Sequence, residues 1–302
     1  MIISCSRRTD IPALYTDWLI ERLRQGFVLT PDRFRPGRLY KIDLTRDKLE
    51  CLILWTKNPI PILKKLDILS QYVQNFYFQY TVTSYETDYE KNLPCLDRRL
   101  SAFQDLSRKI GPERLIWRYD PIIIDTIYTL KWHEQKFSYL ARELSKFTHK
   151  CVISFVDSYR HFKAPTISPD DQMSLALVLA LKAKENGLKI TACAEPIDFT
   201  RAGVHPASCV DRNLIEQLTK KTIPGKKDPG QRRECRCVES RDIGVYNSCI
   251  QGCVYCYATT NRARAQANYL SHDPFSPTLI GRPLGSETII EVLGLSLSKT
   301  RP

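Results

Sequence analysis

The sequence predicts an α/β fold built on a parallel sheet, specifically a complete or partial (β/α) barrel of the TIM type. Three observations predict it. Short β-rich runs alternate six times with longer amphipathic stretches. The β runs are continuously apolar, as in strands covered on both faces, where a half-exposed strand would alternate. No glycine-rich nucleotide fingerprint follows the first strand, which favours a barrel over a doubly wound sheet.

Each unit can be read in order. Ile2 to Ser6 is the first strand and Pro12 to Gln25 its helix, with Asp10 placed to cap the helix N-terminus. The second strand begins at Cys51 and ends at Trp55, followed by a helix over Ile60 to Ser70. Phe76 to Thr83 is the third, with Leu96 to Ile110 helical after it. Arg114 to Tyr119 precedes a helix over Lys131 to Phe147, and Cys151 to Val156 one over Asp170 to Asn186. Leu188 to Ala194 is the sixth strand, and Asp211 to Leu218 offers a short helix. Residues 1–219 therefore form the barrel body. Residues 220–234 are basic and rich in Pro and Gly, and read as an exposed linker. The segment 235–260 is cysteine-rich and completes the barrel; 261–302 is a tail with a weak helix over Ser286 to Leu297.

Of the 302 residues, 43% are hydrophobic and 26% charged, which excludes a disordered chain, a collagen-like fibre and a coiled coil. The longest apolar runs, Leu175 to Leu181 and Ile289 to Leu297, fall well short of the ~20 residues of a membrane span. The opening Met1-Ile-Ile-Ser-Cys-Ser-Arg-Arg lacks the basic-then-apolar order of a signal peptide. A cytoplasmic protein without a membrane partner is expected. Lys and Arg number 45 against 33 Asp and Glu, a formal charge of +12. That excess favours a polyanionic partner, either nucleic acid or a phosphorylated substrate, although a basic surface alone is not a site.

Barrel chemistry gathers at the C-terminal mouths of the strands. Just past the predicted strands stand Arg7, Arg8 and Asp10; Lys57 and Asn58; Arg118 and Asp120; and Glu195. Singly, each has a plain explanation as a helix cap or a solvated loop charge. Together they make Arg7, Arg8, Asp10, Lys57, Arg118, Asp120 and Glu195 the candidates for binding or catalysis.

Eleven cysteines in a chain with no export signal point to metal or redox chemistry before disulfides. Five of them fall between Cys235 and Cys256. Within that cluster, Cys249-x3-Cys253-x2-Cys256 is the most specific motif. Thiolates select zinc, copper(I) or iron–sulfur centres. The three-then-two spacing without a nearby His departs from the paired units usual for zinc.

Cys-x3-Cys-x2-Cys with Tyr255 just before the last cysteine resembles the triad of radical S-adenosylmethionine enzymes. Val245 to Ala258 is especially similar to the cluster loop of the spore photoproduct lyase branch. The resemblance implies a 4Fe–4S cluster held by Cys249, Cys253 and Cys256. Its open iron would be chelated by S-adenosylmethionine, with Tyr255 and Asn58 as cofactor contacts. It further implies a 5′-deoxyadenosyl radical that takes hydrogen from a substrate, and an electron donor such as flavodoxin or ferredoxin. In that superfamily the triad follows the first strand. Here it comes late, so the chain reads as permuted, with Asp242 to Tyr246 as the strand leading into the cluster. From Ile2 to Ala258 the chain also resembles a bacterial domain-of-unknown-function family. The shared landmarks are Ser-Arg-Arg-Thr-Asp, Trp-Thr-Lys-Asn-Pro, Cys-Ala-Glu and the late cysteine cluster.

Cys193, Cys209, Cys235 and Cys237 remain. They are a candidate second site for a cluster or a zinc, or else Cys237 supplies a fourth ligand that closes the first cluster. Cys5, Cys51, Cys95 and Cys151 read as small buried hydrophobes. The sequence contains no phosphate-binding glycine loop, nucleophile-elbow serine or HExxH pair, and its five histidines are scattered. Two other classes stay open: a non-catalytic protein stabilised by zinc, and an iron–sulfur redox module without radical chemistry.

Overall fold

The structure, a computed structural model, describes residues 1–292. Its largest element is an eight-stranded, wholly parallel sheet. The first strand, β1 (Ile2–Cys5), leads into α1 (Ile11–Leu14) and α2 (Thr16–Gln25). A small excursion, β2 (Phe27–Pro31) and β3 (Arg38–Asp43), comes before β4 (Cys51–Thr56). Then follow α3 (Ile60–Leu63), α4 (Leu66–Tyr72), β5 (Phe76–Thr81), α5 (Leu96–Ile110), β6 (Leu115–Ile122) and α6 (Leu130–Leu144). The alternation continues through β7 (Lys150–Phe155), α7 (Pro169–Glu185), β8 (Lys189–Cys193), β9 (His205–Ala207) and α8 (Arg212–Thr219). The C-terminal part holds β10 (Arg241–Asp242), α9 (Arg262–Leu270) and β11 (Thr288–Val292).

The strand order in the sheet is β10-β1-β4-β5-β6-β7-β8-β9. Apart from β10, chain order and spatial order agree. The two faces differ in what covers them. One buries Ile3, Leu52, Leu54, Phe78, Trp117 and Ile153 against the apolar sides of α1 to α7, including Trp18, Phe103, Phe137 and Leu179. The other carries Ile2, Ile53, Tyr77, Ile116 and Val152, covered by Cys209, Ile215, Ile223, Cys237 and Val238. All the early helices therefore lie on one side, and the segment after β9 lies on the other. This is why the six strands read as continuously apolar.

The six predicted strands form close to the expected bounds, but the helices expected over 12–25 and 60–70 are each divided in two, at Tyr15 and at Lys64–Lys65; Asp10 does cap α1, accepting from the Ala13 N–H at 3.1 Å. A complete barrel does not form. No ladder joins β10 to β9 among the described residues. These two edge strands are only two and three residues long, and Cys209, Cys235 and Cys237 pack on the sheet's inner face. β2 and β3 pair with β11 in a separate three-stranded sheet. Thr288–Val292 is thus a strand where a helix was expected, because its register along β3 buries Val292 in the main core; 293–297 lie outside the described residues. Cys95 is exposed at the start of α5, not buried, since the N-cap position lies off the helix's apolar face. Of the 220–234 segment the basic side chains are exposed, but Ile223 is buried on the sheet's inner face and Asp228 is buried in an ion pair with Arg7 at 3.4 Å. No helix among the described residues is long and apolar enough to cross a membrane.

One contact places the cysteine loop. β10 runs parallel to β1, pairing Arg241 with Ile3 and Asp242 with Ser4. The Asp242 carboxylate accepts from the Ser4 hydroxyl (3.1 Å), the Ser6 hydroxyl (2.7 Å), and the backbone N–H groups of Arg7 (2.9 Å) and Gly244 (2.9 Å). Only glycine fits at 244, because a Cβ there would lie 1.9 Å from the Ser6 Oγ and 2.6 Å from its Cβ. Gly244→Ala is expected to lower stability by about 1–3 kcal/mol through this overpacking. A denaturant titration in which the variant unfolds at the wild-type midpoint would show that the two segments are not pressed together as described.

Candidate functional site

Parallel strands deliver the residues after their C-terminal ends to one edge of the sheet. A cavity of 520 Å³ opens there. It is lined by Arg7, Arg8 and Asp10 after β1, Lys57 after β4, Arg118 and Asp120 on β6, and Ser154 on β7. All seven cysteines of the two predicted groups also line it: Cys249, Cys253 and Cys256 from the loop after β10, and Cys193, Cys209, Cys235 and Cys237. Two predicted residues do not. The Asn58 side chain accepts from the Ile60 N–H at 3.2 Å in the turn before α3, and Glu195 accepts from the Phe155 N–H at 2.9 Å. All eleven cysteines are free.

The loop holding Cys249, Cys253 and Cys256 is fastened along its length. At its start Thr9 Oγ1 accepts from the Val245 N–H (3.1 Å) and lies 2.6 Å from Ser248 Oγ. Asn247 N–H donates to the Ala258 carbonyl at 2.8 Å, which pinches the loop closed. In the middle, Asn92 donates from its backbone N–H to Gln251 O (3.1 Å) and from its side chain to Ile250 O (2.7 Å). Gly252 makes that approach possible. Its φ is +76°, and a Cβ would lie 3.0 Å from Asn92 Nδ2 and 3.1 Å from Lys91 Cβ.

Two carboxylates tie this loop to the strand mouths. Asp10 accepts from the Ala13 N–H, from the Lys57 N–H (2.8 Å) and from the Gln251 side chain (3.2 Å), so it joins three segments. Burial pushes its pKa up to about 6, against the hydrogen bonds that favour the charged form. Glu90 is buried and receives Lys57 Nζ (2.8 Å), Arg99 Nη1 (3.2 Å), Thr83 Oγ1 (2.9 Å) and the Tyr255 hydroxyl. Burial raises its pKa, but Lys57 and Arg99 outweigh it and hold the group below the usual carboxylate range. Tyr255, between Cys253 and Cys256, therefore works as an anchor of the loop. Its ring also lies 5.4 Å from Lys57 Nζ.

Across the cavity, Arg118 donates to Asp120 Oδ2 at 2.8 Å and to Cys209 Sγ at 2.7 Å. Asp120 also receives the Ser154 hydroxyl. Burial raises the Asp120 pKa, and Arg118 with Ser154 brings it below its ordinary value. Arg7 and Arg118 stand over the Trp55 ring at 5.6 and 5.3 Å. Trp55 Nε1 and Gln79 Oε1 are buried in the cavity wall with no hydrogen-bond partner among the described residues. At the rim, Arg8 and Arg33 lie 5.2 and 4.7 Å from the Tyr246 ring, and Arg232 pairs with Asp157. The cavity is therefore cationic at its entrance and, among the described residues, holds one buried donor and one buried acceptor that have no partner.

A family profile with the description "Domain of unknown function (DUF1848)" matches residues 2–258. The chain belongs to the DUF1848 family. Neither a curated protein nor a solved structure matches it. The DUF1848 span ends two residues beyond Cys256 and includes every strand of the large sheet and all seven cavity cysteines. It excludes α9 and β11.

The thiols of the loop are half-buried, and burial pushes Cys249 up to about 12 and Cys253 well above its ordinary value. As they stand, no three His, Cys, Asp or Glu side chains among the described residues surround a point where they would hold a metal ion. The donor chemistry nevertheless suits a soft metal centre: three thiols from one short, fastened loop face one cavity, and bound metal reverses the protonation preference of buried thiols.

The sequence pointed to Arg7, Arg8, Arg118 and the seven cysteines that line the cavity, but not to Glu90, Asp242, Arg33 or Arg232. Asp242 was legible as the entry to the cluster loop, not as a clamp.

Two measurements test these networks. Glu90→Gln leaves Lys57 and Arg99 facing a neutral group and is expected to lose about 3–5 kcal/mol, read as a lower denaturant midpoint; a change within error would deny the buried charge cluster its role. Glu195 is raised from about 4.5 to about 7, first by burial and then by Asp120 and Asp157. The folded state binds this proton more tightly than the unfolded chain, so stability falls as pH rises through that interval. Glu195→Gln should flatten that decline, and an unchanged melting profile against pH would contradict the assignment.

Proposed function

We propose that this DUF1848 protein is an iron–sulfur enzyme of the radical S-adenosylmethionine type, acting on an anionic substrate. The observation that carries the proposal is the place of the cysteine loop. It follows a strand that lies parallel to β1 at the sheet edge and opens into the same mouth as the loops after β1, β4 and β6. On this reading the sheet is a partial barrel whose cluster-bearing strand comes last in the chain and neighbours β1 in space.

Cys249, Cys253 and Cys256 would hold a 4Fe–4S cluster. Bound there and reduced, such a centre would supply the electron needed to cleave the sulfonium of S-adenosylmethionine to a 5′-deoxyadenosyl radical. The protein's own residues orient and shield. Asp10 and Glu90 fix the loop to the strand mouths through Lys57, Gln251 and Tyr255. The sequence has no Gly-Gly-Glu string, so the groups left to meet the cofactor's amine and carboxylate are the cavity's own carboxylates and guanidiniums. Asp10 and Asp120 suit the amine, and Arg7 and Arg118 the carboxylate. The rim cations Arg8, Arg33 and Arg232, beside the exposed basic segment 220–236, suit a phosphorylated substrate or nucleic acid. An electron donor such as flavodoxin or ferredoxin would reduce the centre.

Electron paramagnetic resonance on anaerobically purified, dithionite-reduced protein tests this reading. A reduced 4Fe–4S signal is expected, shifting on addition of S-adenosylmethionine and lost in Cys253→Ala. A cluster signal indifferent to the cofactor would make the protein a redox module, and a colourless protein after anaerobic reconstitution would remove the iron–sulfur reading.

A further inference from the structure

The loop triad leaves four cavity cysteines to account for. Cys193 ends β8, Cys209 follows β9, and Cys235 and Cys237 lie on a hairpin over the sheet's inner face. That hairpin is pinned by an antiparallel bridge between Lys227 and Val238 and by the Val238 N–H, which donates to Val210 O at 3.2 Å. Three separate stretches of chain thus bring four thiols to one spot. Cys193 Sγ and Cys209 Sγ are 3.0 Å apart, and the Cys237 thiol interacts with those of both Cys209 and Cys235. The Val210 N–H donates to Cys237 Sγ at 3.2 Å. Arg118 donates to Cys209 Sγ at 2.7 Å, so one sulfur already has a cation beside it. Cys5, Cys51 and Cys151, by contrast, are packed singly among apolar side chains, as structural cysteines are.

We infer that Cys193, Cys209, Cys235 and Cys237 bind one divalent ion of the zinc class as a mononuclear tetrathiolate, which staples the 220–240 hairpin onto the inner face of the sheet. Zinc–sulfur bonds of about 2.3 Å at tetrahedral angles put neighbouring sulfurs about 3.8 Å apart. The Cys193–Cys209 pair needs to open by less than 1 Å to reach that edge length. In a four-iron cluster each thiolate sits on its own iron with sulfides between, which requires a wider spread than this pair shows. The four thiols do not yet surround a common point, so the ion completes the arrangement by rotating side chains. Binding releases four thiol protons and leaves a net charge of −2, offset by Arg118 at Cys209 and by Arg7, which lies near Cys237. This site does not depend on what the loop triad binds.

The test uses the full chain with Cys249, Cys253 and Cys256 all changed to Ala, loaded anaerobically with zinc or with cobalt(II). One zinc per chain is expected by elemental analysis. Cobalt should give the intense visible bands of tetrahedral coordination together with near-ultraviolet thiolate-to-metal charge transfer. Adding Cys209→Ser should abolish both, and chelation should speed tryptic cutting within 220–236. Should the triple variant not fold, the ion is counted as the one equivalent of zinc that Cys193→Ala loses relative to wild type. No bound zinc, an octahedral cobalt spectrum, iron with acid-labile sulfide at these cysteines, or a Cys193–Cys209 disulfide in anaerobic peptide maps would each overturn the inference.

Discussion

The carboxylate of Asp242 is the constraint on which the rest of the site depends. Its ladder to β1 is only two residues long, and by itself would fray like any short edge. Four donors from two chain segments converge on that carboxylate and make up for the missing ladder. Because Ser4, Ser6 and Arg7 supply three of those donors, the start of the chain and its cysteine loop are positioned by one group. The mouths of β4 and β5 then close on the same loop through Asp10 and Glu90.

Those two carboxylates solve different problems. Glu90 is overmatched by cations and stays charged, so it anchors Lys57, Arg99 and Tyr255 in one rigid cluster. Asp10 has only neutral donors at hydrogen-bonding distance and keeps its proton to a higher pH. A soft metal centre beside them would meet a wall that is preorganised on the Glu90 side and adjustable in charge on the Asp10 side.

The alternation of elements was legible because it rests on local pattern. α5 spans Leu96–Ile110 as its periodicity indicates, and Gly111, at a φ of +89°, stops it there. What escaped was set by distant partners or weak burial. β2 and β3 form a half-buried ribbon completed by β11, about 250 residues away in the chain. α9 buries only Ala265, so its sequence shows no apolar stripe. Glu90 sits in a polar stretch that reads as a loop. Its importance comes from Lys57, Arg99 and Tyr255, which lie 33, 9 and 165 residues away along the chain. The cysteine groups were legible as spacing, but that both line one cavity was not.

The pair of guanidiniums over Trp55 has a consequence of its own. The chain has four tryptophans; Trp18 and Trp117 are fully buried, with their indole N–H groups donated to Ser276 O and Val82 O. Trp132 packs flat against Tyr85, away from the cavity lining. Trp55 alone of the four combines a cavity position, an indole N–H with no partner among the described residues, and two cations over its ring. The protein thus carries a natural fluorophore inside the chamber, placed to report through its emission the binding of a small molecule there.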